Sequence, residues 1–224
     1  MIIYACSDLH VSKDHFSPAA RAFLQEANQK ADLTLLCGDL YEGSWRPLQE
    51  SVASANGKAL WELVQGLDNA IILLGNHDWT LKKHVENSKH PIKRSHLIHD
   101  GEGRTYYATH GWMEYDLPVG WLAPIYHRIL PRLPVAAGVW TKWKSPGAQK
   151  RKGEMRRYWR HVRKMSNRAI FNAIDNNYIP IWGHSHRRHI DKFDDWLSIN
   201  CGAFVEGEIG GIVIEHGEPR EWST

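Results

Sequence analysis

Five short apolar runs punctuate the chain, and each stops at Asp, Asn or His. Ile2-Ile3-Tyr4-Ala5-Cys6 leads into Ser7-Asp8-Leu9-His10, and Leu33-Thr34-Leu35-Leu36-Cys37 into Gly38-Asp39. Ala70-Ile71-Ile72-Leu73-Leu74 leads into Gly75-Asn76-His77-Asp78. Thr105-Tyr106-Tyr107-Ala108-Thr109 precedes His110-Gly111, and Tyr178-Ile179-Pro180-Ile181-Trp182 precedes Gly183-His184-Ser185-His186. Short runs of this kind, bounded by turn residues, predict buried strands. Gly, Asn and Asp are common in any turn, so one such tip means little. Five at strand ends predict side chains gathered at one sheet edge, where open α/β sheets place their sites.

Between the first three runs the apolar spacing becomes helical. Ser17-Pro18 predicts an N-cap followed by proline in the first helical position. Phe16, Ala20, Phe23, Leu24 and Ala27 then form a stripe reaching about Ala31. Pro47 opens a second helix ending near Gly66, with Leu48, Val52, Ala55, Leu60, Leu63 and Val64 as its inner face. Strand–helix–strand order implies βαβ units, parallel pairing and an α/β class. A short helix is expected from Thr80 to Glu86, and a strand from Ser95 to Ile98. Strands near His189 to Phe193, Trp196 to Asn200 and Ile209 to Glu215 are separated by short turns, which suggests antiparallel pairing.

The rhythm breaks after Gly111. Pro124, Pro131 and Pro134 interrupt the apolar stretch Val119 to Trp140, arguing against a strand or long helix there. Glu154 to Asn176 regains helical spacing. Met155, Trp159, Val162, Ala169, Ile170, Ala173 and Ile174 share one face, and Arg156, Arg157, Arg160, Arg163, Lys164 and Arg168 crowd the other. Residues 112–168 therefore read as a helical, Trp- and Arg-rich lid inserted into a single domain spanning 1–224.

Charge sharpens that reading. The net charge of +3 conceals 11 Lys or Arg and one acid, Glu154, between Thr141 and Arg168. Only 17 of the 28 basic residues but 24 of the 25 acidic ones lie elsewhere. This asymmetry points to an anionic partner for the segment: an anionic membrane surface or lipid, or nucleic acid. Cys6, Cys37 and Cys201 lie in or beside apolar runs, and no C-x-x-C pair suggests zinc. They read as buried thiols in a reducing compartment. The chain opens directly on a strand, so no leader is expected, and no stretch approaches membrane-span length. A cytoplasmic protein is expected, at most peripheral to the inner membrane surface.

Asp8, His10, Asp39, Asn76, His110, His184 and His186 offer nitrogen and oxygen donors without thiolates. Such a set suits divalent Mn, Fe, Co, Ni or Zn. If seven ligands serve two ions, one carboxylate must bridge. Two ions about 3.5–4 Å apart share a hydroxide, lower its pKa and stabilise an in-line displacement at phosphorus.

Taken in order, D-x-H, G-D, G-N-H-D, a lone His before Gly, and G-H-x-H resemble the calcineurin-like metallophosphoesterases. The blocks span residues 8–186, and Asn200-Cys201-Gly202-Ala203 is similar to a further one. The resemblance implies a four-layer α/β/β/α sandwich. It implies that Asp8, His10, Asp39 and His186 hold one ion, and Asp39, Asn76, His110 and His184 a second, Mn being preferred. His77 would face the leaving group, with Asp78 orienting it. The lid resembles that of UDP-2,3-diacylglucosamine hydrolases, although those carry Arg where this chain has His77 and Asp where it has Trp112.

The activity this implies is hydrolysis of a phosphoester or pyrophosphate by a metal-bridging hydroxide, on a small or lipid-linked substrate. A nuclease or phosphodiesterase is the alternative, its lid tracking a backbone and stacking bases. A non-catalytic scaffold sits poorly with a full ligand set. Arg187, Arg188 and the lid's Arg156 and Arg160 are candidate contacts to substrate phosphate. His15, His84, His90, His96, His99, His127, His161, His189 and His216 read as surface or packed side chains.

Overall fold

The computed structural model describes residues 1–44, 46–85, 87–111, 173, 176–193, 196–205 and 209–223. The lid at 112–168, with Arg156 and Arg160, lies outside them. The apolar runs fold as strands: β1 (Ile2–Cys6), β2 (Leu33–Cys37), β3 (Ala70–Leu73), β4 (Ile92–Lys93), β5 (Ser95–His99) and β6 (Thr105–Thr109). Later in the chain come β7 (Ile179–Trp182), β8 (Arg188–Phe193), β9 (Trp196–Cys201), β10 (Ile212–Glu215) and β11 (Glu218–Glu221). They build two sheets, ordered β11-β10-β1-β2-β3-β4 and β5-β6-β7-β9-β8.

Side-chain alternation explains the layering. Tyr4, Cys6, Leu36 and Ile72 face the helices, while Ile3, Ala5, Leu35, Cys37, Ile71 and Leu73 face the second sheet. There they meet Ile98, Tyr106, Ala108, Ile181, Ile199 and Cys201. β2 is buried on both sides, which is why it reads as a nearly continuous apolar run rather than an alternating one. Helix α1 (Pro18–Lys30) starts as expected, with Ser17 Oγ accepting from the Ala20 N–H and Pro18 in the first turn. Its buried face is Ala20, Phe23, Leu24 and Ala27.

The expected helix from Pro47 to Gly66 is two helices, α2 (Leu48–Ala53) and α3 (Ala55–Gly66). Ser54 takes an extended conformation with ψ 161° and caps α3, its Oγ accepting from the Gly57 N–H at 3.0 Å. Serine competes for backbone partners in this way, and periodicity alone does not show it. The register shifts at the break, so Ala55 is exposed and Gly57, Leu60 and Val64 are buried.

Three further expectations change. The helix proposed for Thr80 to Glu86 is a single 3-10 turn, Leu81–Lys83. β9 pairs antiparallel with β8 but parallel with β7. β4 and β11 were not expected: β4 has two residues, and β11 (Glu-Pro-Arg-Glu) has no hydrophobic side chain except proline. Both lie at edges of the first sheet, where a short or polar strand suffices. Two sheets and a helical layer make three layers of the expected sandwich. The helix expected to form the fourth lies outside the described residues except at Ala173, which is helical and buried, its carbonyl accepting from the Tyr178 N–H at 2.8 Å. Asn177 is left-handed at φ 57°. No described helix is long and apolar enough to cross a membrane.

Phe23 anchors α1, packing against Tyr4, Phe204 and Trp222 with ring centroids 5.5, 5.6 and 5.3 Å away. Phe23→Ala should cost about 3–5 kcal/mol. Urea denaturation should show this as a lower midpoint with an unchanged slope; a midpoint matching wild type would mean α1 is not held by this contact.

Candidate metal centre

The tips of β1, β2 and β3 meet those of β6 and β7, so the site lies at an edge shared by two sheets rather than one. Asp8, His10, Asp39, His184 and His186 all have positive φ, at 55°, 43°, 54°, 67° and 58°. Left-handed backbone costs a non-glycine residue about 1–2 kcal/mol. It persists where surrounding structure over-determines it, most often at functional sites. The glycines before these tips allow close approach. A Cβ at Gly75 would lie 2.0 Å from Asp39 Oδ1, and one at Gly183 would lie 1.8 Å from Ser7 Oγ.

One imidazole orders the first cluster. His110 Nδ1 sits 2.8 Å from the Cys37 carbonyl, which can only accept, so Nδ1 carries the proton. The other nitrogen, Nε2, then faces three acceptors: Asn76 Oδ1 at 3.1 Å, Asp39 Oδ2 at 3.2 Å and His184 Nδ1 at 3.3 Å. Convergent lone pairs need a positive charge among them, which a second proton on His110 or a divalent ion would supply.

The second cluster is Asp8, His10 and His186. His186 Nε2 lies 3.2 Å from Asp8 Oδ1 and 3.1 Å from His10 Nε2. Asp8 is fully buried, and Oδ1 makes no hydrogen bond, so a bare carboxylate oxygen is aimed into the cluster. Its other oxygen is occupied by the His184 N–H at 2.8 Å and Ser7 Oγ at 2.5 Å. Asp39 reaches both clusters, with Oδ2 3.2 Å from His110 Nε2 and 3.9 Å from His10 Nε2. Three residues able to hold an ion occur in each cluster, and Asn76 adds an amide oxygen to the first.

Electrostatics agree with a cation-seeking site. Burial would raise the Asp8 carboxyl, but the charge of the neighbouring His186, His110 and His10 imidazoles holds it well below its ordinary range. Asp39 is held low in the same way, against burial, by His110 and His77. Burial would lower His110, yet Asp39 and Asp8 push it up to about 9. His184 moves the other way, to about 3, through burial and then the neighbouring His110. Carboxylates and imidazoles thus shift one another by their opposite charge, while His184 is shifted by burial and a like charge.

His77 stands at the rim, its ring edge-on to His10 with centroids 4.5 Å apart. Its orienting carboxylate is Glu42, not Asp78. Glu42 Oε1 accepts from Nδ1 at 2.8 Å, and Oε2 lies 3.4 Å from His10 Nδ1. Asp78 is spent on backbone, accepting from the Leu40 N–H at 2.6 Å and the Gly75 N–H at 2.8 Å. It ties the β2 tip to the β3 tip. Burial and nearby Asp39 raise it to about 6. Glu42 was missed because it lies in no motif block; an acid three residues beyond Asp39 on the same tip was the available signal. Of the arginines, Arg187 is exposed, whereas Arg188 is committed to the Trp222 carbonyl and to Glu221 at 2.8 Å.

The family model described as calcineurin-like phosphoesterase matches residues 1–221. No curated protein matches. Among solved structures, an archaeal phosphodiesterase is similar at 19% identity and TM-score 0.54, covering 99% of both chains. The phosphoesterase YfcE from E. coli is similar at 17% identity and TM-score 0.55, covering 96% of this chain and 89% of its own. Vps29 from Chaetomium thermophilum is similar at 11% identity and TM-score 0.52, covering 96% of this chain and 80% of its own. At these identities the likenesses speak for the fold. The family match over nearly the whole chain goes further: this protein belongs to the calcineurin-like phosphoesterases.

Proposed function

We propose that the chain is a two-metal phosphohydrolase with Asp39 shared between the ions. The carrying observation is the convergence of acceptor atoms around His110 Nε2, beside a second cluster that the same aspartate reaches. Asp8, His10, His186 and Asp39 would hold one ion, and Asp39, Asn76, His110 and His184 the other. Bound divalent ions, Mn being the preferred one, would supply a hydroxide nucleophile and charge stabilisation at phosphorus.

The chain's own residues do the rest. The Cys37 carbonyl sets the His110 tautomer, so Nε2 is available as a ligand. Glu42 holds His77 through Nδ1, so Nε2 is the atom that would pass a proton to the departing oxygen when the ring is doubly protonated. Asp78 keeps the two tips in register. The small or lipid-linked substrate expected from the lid rests on residues 112–168, outside those described. A hydrolysis screen with Mn²⁺ across phosphomonoesters, diesters, nucleotide–sugar pyrophosphates and DNA tests the class; no turnover on any of them would reject it.

Asp39→Asn should abolish turnover and reduce bound metal from two ions per chain to one or none, measured by elemental analysis. Two ions with normal turnover would remove Asp39 from its bridging role.

His77→Ala should keep both ions and lose about 10²–10⁴-fold in kcat on poor leaving groups, and far less on p-nitrophenol esters. Glu42→Gln should follow the same leaving-group trend at about 10–100-fold. An equal loss on good and poor leaving groups would show that His77 is not the acid.

A further inference from the structure

The strongest charged surface among the described residues runs along one sheet edge. Lys82, Lys83, Lys89, Lys93 and Arg94 fall within 13 residues and are all exposed. Lys30, Arg46, Arg104, Arg188 and Lys192 each hold a carboxylate. None of the five does so among the described residues. His84, His90 and His96, interspersed with them, are held below their ordinary range by burial and then by Lys83, Lys89 and Lys93 respectively.

Topology aims this surface at the site. Lys82 and Lys83 lie on the turn that follows Asp78. β4 is the outermost strand beside β3, with Lys93 opposite Leu73, and the Leu74 N–H donates to the Lys93 carbonyl at 2.9 Å. β5 then begins in the other sheet with Ser95 opposite Thr109, the residue before His110. Arg94 thus sits where the chain crosses between sheets, flanked by the strands that deliver Asn76 and His110. Lys89 marks the far end, its Nζ on the Leu67 carbonyl at 2.7 Å, just beyond α3. The five cations thus run from the turn after Asp78, by way of the far end of β3, to the crossing between the sheets.

We propose that these cations form a track for the backbone of single-stranded nucleic acid, leading a scissile diester to the metal centre; this rests on the phosphohydrolase reading above. A line of cations matches a line of phosphates, where a compact cluster would match one. Trp79, half-buried and directly after Asp78, adds an aromatic surface beside the ligand strand. An edge lysine such as Lys93 also guards against strand pairing, but Lys82 and Lys83 belong to no strand. A membrane-binding face would interleave apolar side chains with its cations, and Leu97 is the one large exposed apolar side chain near this edge among the described residues. In the reaction, water oxygen bonds to phosphorus and the phosphorus–ester oxygen bond breaks. The departing oxygen keeps the electron pair and takes a proton from His77, leaving a phosphomonoester and an alcohol.

The test is the variant Lys82→Gln/Lys83→Gln/Lys93→Gln/Arg94→Gln, with Lys89 retained because it caps a carbonyl. Binding of a fluorescent 20-nucleotide DNA is followed by anisotropy at several salt concentrations, beside hydrolysis of bis-p-nitrophenyl phosphate with Mn²⁺. The wild type should bind with steep salt dependence, and the variant at least tenfold more weakly. The slope should flatten by about 0.7 for each phosphate contact removed. Loss of kcat/KM on an oligonucleotide should exceed the loss on the chromogenic diester by at least tenfold. Equal oligonucleotide affinity in both proteins overturns the track. So does binding to vesicles of phosphatidylserine and phosphatidylcholine without binding to DNA, which would make the edge a membrane face. If the wild type binds DNA but hydrolyses neither of these, nor any phosphomonoester or nucleotide–sugar pyrophosphate with Mn²⁺, the track stands and the phosphohydrolase reading falls.

Discussion

Lone pairs that face one another need a cation between them, and that requirement organises this molecule. Around His110 Nε2 an amide oxygen, a carboxylate oxygen and a second imidazole nitrogen lie within 3.3 Å. In water such groups would turn apart and each would find a donor. Here the Cys37 carbonyl holds the His110 ring and backbone N–H groups hold the carboxylates, so they cannot. The arrangement is costly without positive charge, and the depressed carboxyls and raised His110 point the same way.

Rigidity for such an arrangement comes from the two sheets. Their facing side chains form one core cluster, and the helices seal a second on the other side of the first sheet. Strand ends anchored in packed layers deliver their tips with little freedom. The remaining adjustment is local: five left-handed residues and glycines without room for a Cβ. Strain at the tips is tolerated because apolar burial behind them over-determines the backbone.

Carboxylates take distinct jobs that their residue type does not reveal. Asp39 faces the clusters, Asp78 serves only backbone N–H groups, and Glu42 joins two histidines. Each job follows from which donors lie within reach after folding. The cations are likewise unequal: some are tied to carboxylates, while Lys82, Lys83, Lys93 and Arg94 hold none among the described residues, Lys93 meeting His96 instead.

Much was legible in the sequence because it depended on local pattern. Apolar runs, Ser17-Pro18 and turn glycines are short-range signals, and they located β1, β2, β3, β6, β7 and α1 with their polar tips. The candidate ligands were visible for the same reason, each standing within a few residues after a strand. Other features depended on contacts between distant segments. Ser54 broke a helix through its own cap, β4 and β11 formed because a sheet edge was there to receive them, and β9 chose β7 as a parallel neighbour. The partner of His77 could not be read from order along the chain. Asp78 is adjacent in sequence yet points to the β2 tip, while Glu42, 35 residues away, lies 2.8 Å from the ring. The sequence alone determined which side chains arrive at strand ends. Only the tertiary structure decided which of them meet, because hydrogen-bond reach is set by distance in space.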